Sequence, residues 1–167
     1  MPIHMIYDMK VVLDTDVIRS GLQSPKGASR LLLIAVGERR LLPLVSVAMF
    51  LEYEDVLLRL DSLAATGMTS QDTCDFLDNF LARSQRVAIR YRLRPSIQDP
   101  NDEMFVEALV NGGGEAIVTF NRRDYLSADP EHAPQGGTAV PVISPGEALR
   151  RLAWRPTATT PSAFPRR

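Results

Sequence analysis

The sequence predicts an α/β protein, a three-layer α/β/α sandwich around a mainly parallel central sheet. Short apolar runs recur along the chain, and the first, Val11-Val12-Leu13, is continuous and β-branched, as expected of a strand buried on both faces. Between the runs lie segments with apolar residues at helical spacing, and strands alternating with helices build βαβ units. The length, 167 residues at 18.5 kDa, suits one domain with a sizeable core.

The elements follow in order. Residues 1–8 read as an extension before a first strand that starts at Met9-Lys10. Pro25 and Gly27 mark a loop before a helix from about Ala28 to Arg39, with Leu31, Leu32, Ile34 and Ala35 at helical spacing. Leu41 to Val45 reads as a second strand, and Ser46 as the cap of a helix running to about Leu60. Thr69-x-x-Asp72 resembles a capping box ahead of a helix that carries Phe76, Leu77, Phe80 and Leu81. Val87 to Leu93 alternates apolar and basic residues, which predicts a strand with one wet face. Asp99-Pro100-Asn101-Asp102 opens a well-buried helix that stops at Gly112-Gly113-Gly114. Ala116-Ile117-Val118 and Val140 to Ile143 read as strands, and Gly146 to Trp154 as the last helix. The domain is thus expected over 9–154, with 155–167 a disordered tail rich in proline.

Composition excludes several classes. No apolar run approaches the roughly 18–20 residues that cross a bilayer, and no signal-peptide core opens the chain, so a cytoplasmic protein is expected. With one cysteine, Cys74, and two histidines, His4 and His132, neither a disulfide framework nor a structural zinc site is available. Any metal must sit on oxygen ligands. The formal charge is −1, yet 17 of the 19 basic residues are arginine and the only lysines are Lys10 and Lys26. Arginines gather at Arg83, Arg86, Arg90, Arg92 and Arg94, with no acid among them, and again at Arg150, Arg151, Arg155, Arg166 and Arg167. Such clusters bind phosphates or form a solvated face.

In a parallel sheet, ligands bind beyond the carboxyl ends of the strands, and acids fall at three such junctions. Asp14 and Asp16 follow the first strand, Asp99 and Asp102 lie in a strand-to-helix junction, and Asn121 and Asp124 follow Thr119. A carboxylate at the end of a buried strand is costly without a partner, which favours function at Asp14. For Asp102, helix capping at the third position after Asp99 is an equal explanation. Asn121 and Asp124 are also common turn formers. Glu52 borders the apolar arc of its helix and Glu54 lies in a gap between apolar positions; periodicity does not choose between them. Carboxylates gathered without lysines repel one another unless a cation is bound, and Mg²⁺ or Mn²⁺ suits such ligands. Phosphoryl chemistry assisted by a metal follows as one use.

These junctions resemble the motifs of PIN-domain ribonucleases. Val11-Val12-Leu13-Asp14-Thr15-Asp16-Val17-Ile18 is similar to their opening strand, and Ser46-x5-Glu52 with Tyr53 to their second motif. Asp99-Pro100-Asn101-Asp102 resembles the third, and Ile117-Val118-Thr119-Phe120-Asn121-Arg122-Arg123-Asp124-Tyr125 the fourth. The resemblance covers roughly 9–150 and is nearest to the VapC-like toxin components of toxin–antitoxin systems. It implies Asp14, Glu52 and Asp102 as an acidic triad for Mg²⁺ or Mn²⁺, and so selects Glu52 over Glu54. The fourth acidic position falls at Asn121, an amide here, with Asp124 as the nearby acid. Asp16 stands where many relatives have asparagine, and Thr15 and Thr119 would orient water or phosphate. The implied reaction is endonucleolytic hydrolysis of single-stranded or looped RNA, leaving a 5′-phosphate and a 3′-hydroxyl. The implied partners are an RNA substrate, a cognate antitoxin and a second copy in a homodimer.

Two other readings compete. Val11-Val12-Leu13-Asp14-Thr15-Asp16 also resembles the nucleophile strand of haloacid-dehalogenase-type phosphatases. That family, like phospho-receiver domains, needs a later lysine, and none follows Lys26. A PIN-like binding module with a decayed site is the non-enzymatic alternative, to which Asn121 lends weight.

Overall fold

The first apolar run becomes β1 (Met9–Leu13), and in the computed structural model, which describes residues 7–133 and 137–156, its Val11, Val12 and Leu13 are fully buried. It is joined by β2 (Leu41–Val45), β3 (Gln85–Arg86), β4 (Ala116–Val118) and β5 (Val142–Ile143) in the order β3-β2-β1-β4-β5, every neighbouring pair parallel. Parallel neighbours need long crossovers, which helices fill. Among the described residues these are α1 (Thr15–Gln23), α2 (Ala28–Gly37), α3 (Val47–Leu57), α4 (Leu60–Thr66), α5 (Ser70–Ala82), α6 (Glu103–Gly112) and α7 (Pro145–Leu152). α6 packs on β1, β2 and β4, and α2 packs on β2, α1 and α7. The result is the expected three-layer α/β/α sandwich. Strand order reverses at β1, so a crevice opens where the carboxyl ends of β1 and β4 lie side by side.

Local chemistry explains most of the element ends. Ser46 Oγ accepts the Met49 amide at 3.3 Å and caps α3. Thr69 and Asp72 form the reciprocal capping box of α5. Gly113, at φ +65°, ends α6 in the left-handed conformation that glycine adopts without penalty. At Gly21 a Cβ would stand 2.6 Å from Leu33 Cδ1 and 2.9 Å from the Ser29 carbonyl, so only glycine lets α1 and α2 approach this closely. Pro43 sits inside β2 at little cost. It shares its parity with Val45, whose carbonyl faces β3, and β3 pairs only from Leu44 onward, so the missing N–H falls where no ladder has begun.

Several expected boundaries are corrected. α1 has no counterpart among the expected elements: Thr15, Val17 and Ile18 are weak helix formers, and burial of Val17, Ile18 and Leu22 supplies what propensity lacks. The helix expected to reach Leu60 ends at Leu57, and α4 follows as a separate turn. The last strand is confined to Val142–Ile143, and the last helix begins at Pro145. α6 starts at Glu103 rather than at Asp99, with Pro100 in the preceding turn. Nor is α6 apolar almost all round: Val110 is 45% exposed, while Glu103 and Glu107 are buried.

The expected strand from Val87 to Leu93 is absent. Only Gln85–Arg86 pairs with β2; farther on, the Arg90 and Tyr91 amides both donate to Asn111 Oδ1 at 2.9 Å. With no neighbouring strand on that side among the described residues, the alternation marks a strap outside the sheet. The expected extension over 1–8 and tail over 155–167 fall largely outside the described residues.

Candidate active site

Asp14 leaves the end of β1 as the first residue before α1, with extended backbone and no side-chain cap bond. Its carboxylate is instead held from across the crevice. Thr119, one residue past β4, donates its hydroxyl to Asp14 Oδ2 at 2.7 Å, and Tyr125 donates its phenol to the same oxygen at 3.1 Å. Oδ1 has no side-chain donor among the described residues. Burial pushes the Asp14 carboxyl above its ordinary value, opposed by the Thr119 and Tyr125 hydrogen bonds and reinforced by Asp16. Burial also holds the Tyr125 phenol far above its usual range, with Asp14 and Asp102 adding to the effect, so it stays a proton donor at all ordinary pH.

Asp102 carries the clearest electrostatic signature. Its carboxyl is pushed up to about 7, first by burial and then by Asp14, Asp99, Asp124 and Glu52 in that order. Three acids from three other segments of the chain, with Asp99 from its own, thus act on one carboxylate. Asp102 stands at the N-cap position of α6 without making a side-chain cap bond, so it satisfies no helix amide, though its charge still lies at the positive end of the helix dipole. Asp99 does have a local role: its Oδ1 accepts the Asn101 amide at 2.9 Å. Glu52 contributes to this field. Neither these five acids nor Asp16, exposed in the first turn of α1, has a salt bridge among the described residues.

Asn121 and Asp124 divide the fourth motif between them. Asn121 Oδ1 accepts the Arg123 amide at 3.3 Å, capping a 3₁₀ turn (Arg122–Tyr125), and its Nδ2 donates to Asp124 Oδ1 at 2.6 Å. The amide thereby steadies the acid that acts on Asp102. Ser46 is buried and engaged in capping α3. Thr15 is 6% exposed, and its hydroxyl is buried without a hydrogen-bond partner.

Two tyrosines were not singled out from the sequence. Tyr53 is fully buried and donates to the Leu13 carbonyl at 2.5 Å, satisfying the last residue of β1 just before Asp14. It packs edge-on to Phe80. Tyr53 read as an apolar position and part of the second motif, and Tyr125 as part of the fourth. The signal available was a tyrosine directly after each key acid, Glu52 and Asp124, where a buried ring needs a partner for its hydroxyl.

The donors are oxygen atoms only, anionic, partly buried and without a salt bridge among the described residues, which fits a hard divalent cation such as Mg²⁺ or Mn²⁺. Among the described residues, however, no three His, Cys, Asp or Glu side chains close on one point tightly enough to hold a metal.

Fold and site define an α/β domain with an acidic crevice at its topological switch point. A family model described as PIN domain matches residues 10–123, more than half of the chain, and the chain belongs to the PIN-domain family. No curated protein and no solved structure matches it. The PIN fold is a nuclease fold whose members typically use divalent metals. Among the described residues no helix is long and apolar enough to cross a membrane.

Proposed function

We propose that the protein is a metal-dependent endoribonuclease that hydrolyses RNA phosphodiester bonds in the cytoplasm, as the toxin of a type II toxin–antitoxin pair. The observation that carries the nuclease reading is the field on Asp102, where Asp14, Asp99, Asp124 and Glu52 converge without a salt bridge among the described residues. Asp14, Glu52, Asp102 and Asp124 would hold Mg²⁺ or Mn²⁺, with Asn121 steadying Asp124. A divalent ion held there supplies Lewis acidity and lowers the pKa of water.

The chain's own residues do the rest. Thr119 and Tyr125 fix Asp14 through Oδ2, and the Thr15 backbone amide also donates to this carboxylate. Tyr53 pins the carbonyl before it. Burial and the neighbouring acids push the Asp102 carboxyl up to about 7 in the absence of a cation, and a divalent ion bound beside it would favour its charged form. Purified protein with Mn²⁺ is expected to cut labelled RNA, and Asp14→Asn to abolish cutting. Equal activity in that variant overturns the assignment.

The toxin role brings an antitoxin that covers the crevice and a homodimer. Induced expression should arrest growth, relieved by co-expressing the neighbouring reading frame; the mass in solution tests the dimer. A second reading, a decayed binding module, is favoured by the absence of a closed ligand group among the described residues. Calorimetry with Mn²⁺ separates the two, because a decayed site takes up no metal.

A further inference from the structure

The strap between β3 and α6 is fastened along one side and charged along the other. Three polar residues of α6, spaced four apart, do the fastening. Asn111 accepts the Arg90 and Tyr91 amides and donates to the Tyr91 carbonyl at 2.9 Å. Glu107, buried, takes Arg94 in a two-pronged pair at 2.8 and 3.1 Å. Glu103, 1% exposed, accepts the Ser96 and Ile97 amides at 2.6 and 3.2 Å and the Ser96 hydroxyl at 2.5 Å. Burying two carboxylates to secure a segment without regular structure is expensive, and it holds one backbone course.

That course leaves Arg86, Arg90 and Arg92 exposed, without an ion pair among the described residues, and Tyr91 68% exposed between two of them. A cleft of about 410 Å³ lined by Arg86, Arg90, Tyr91 and Asn111 opens against the end of α6. Its size is that of a small-ligand site. Guanidinium groups bind phosphate in a planar fork, and an exposed ring between them offers a face to a base. α6 ties this cleft to the acidic crevice: Asp102 stands at one end and Asn111 sits near the other, across a helix of about 15 Å. An extended single strand covers that span in a few nucleotides.

We infer that this strap is a second RNA subsite, in which Arg86, Arg90 and Arg92 take backbone phosphates and Tyr91 stacks on a base of a single strand whose scissile bond lies at Asp14 and Asp102. The inference rests on the ribonuclease reading and gives it a substrate geometry: a single strand tracked along α6.

The test uses the full chain in EDTA and a fluorescein-labelled oligouridylate of about eight nucleotides, long enough to span α6. Fluorescence anisotropy is expected to show at least about a tenfold affinity loss in an R86A/R90A/R92A variant. Its log–log salt slope should be shallower by about two, from three lost contacts at about 0.7 each. Tyr91→Ala should lose about tenfold, whereas R150A/R151A, with charge removed elsewhere, should bind as wild type does. Equal losses in the strap and control variants, or no loss in either, overturn the subsite. Binding of polyglutamate in place of RNA with the same arginine dependence also overturns it and makes the strap a protein-docking face. Hydrolysis of bis-p-nitrophenyl phosphate by the wild type with Mn²⁺ reports on the nuclease reading separately. Strap-dependent RNA binding without that hydrolysis sinks the nuclease and leaves the subsite standing.

Discussion

A single oxygen, Asp14 Oδ2, joins β1 to β4 through Thr119 and to the following turn through Tyr125. Because the phenol keeps its proton, it donates constantly, and its value lies in holding the carboxylate in one orientation. Tyr125→Phe preserves the ring and removes that donor. RNA cleavage should fall about fivefold, the rate equivalent of about 1 kcal/mol for one such hydrogen bond, and the acidic limb of its pH profile should move to higher pH. An unchanged rate with an unchanged profile would show that Tyr125 only fills space. Residue by residue, the acids were legible because charge at the end of an apolar strand has few inexpensive explanations. The two tyrosines were not, since their rings satisfy the apolar pattern and their hydroxyls find partners 40 and 111 positions away. Asp102 was ambiguous in one dimension and became less so once its side chain was seen to make no cap bond.

Among the elements, α6 does the most varied work: one face packs on three strands, one end carries Asp102, and Glu103, Glu107 and Asn111 hold the strap. Asn111→Ala removes every strap contact at the far end of this row. Stability is expected to drop by about 1–3 kcal/mol, and trypsin to cut after Arg90 and Arg92 much faster than in the wild type. Mass spectrometry of the first nicks reads this directly; unchanged cutting there would mean that the strap is held by something else. The strands and most helices were readable because apolar runs and caps are local signals, as at Val11 to Leu13 and at Thr69 and Asp72. The strap was misread for the opposite reason. Alternation over Val87 to Leu93 reports an extended chain with two unlike sides and does not specify whether a neighbouring strand exists to pair with it. α1 was missed because its stability comes from burial against the rest of the protein.

For the molecule as a whole, the acidic crevice links folding to pH and to divalent ions. The folded chain raises Asp102 from 3.8 to about 7 and raises Asp14 in the same direction. A group raised on folding favours its protonated form in the native state. Its contribution is therefore complete below about pH 4 and lost as pH climbs through about 7. Without cations, the protein should lose stability across that window, by roughly 1–3 kcal/mol after allowing for the partial exposure of Asp102. Urea denaturation in EDTA between pH 5 and 8 measures this, and the difference between wild type and Asp102→Asn isolates it from other titrating groups. The variant should be the more stable protein at pH 8 and gain little at pH 5. Adding Mn²⁺ should reverse the order at pH 8, because a cation that binds only the folded, charged crevice stabilises the wild type by mass action, and the variant has lost a ligand. A wild type already as stable at pH 8 as its variant in EDTA would mean that the crevice acids do not repel one another. A variant that gains as much from Mn²⁺ as the wild type would remove Asp102 from the metal site.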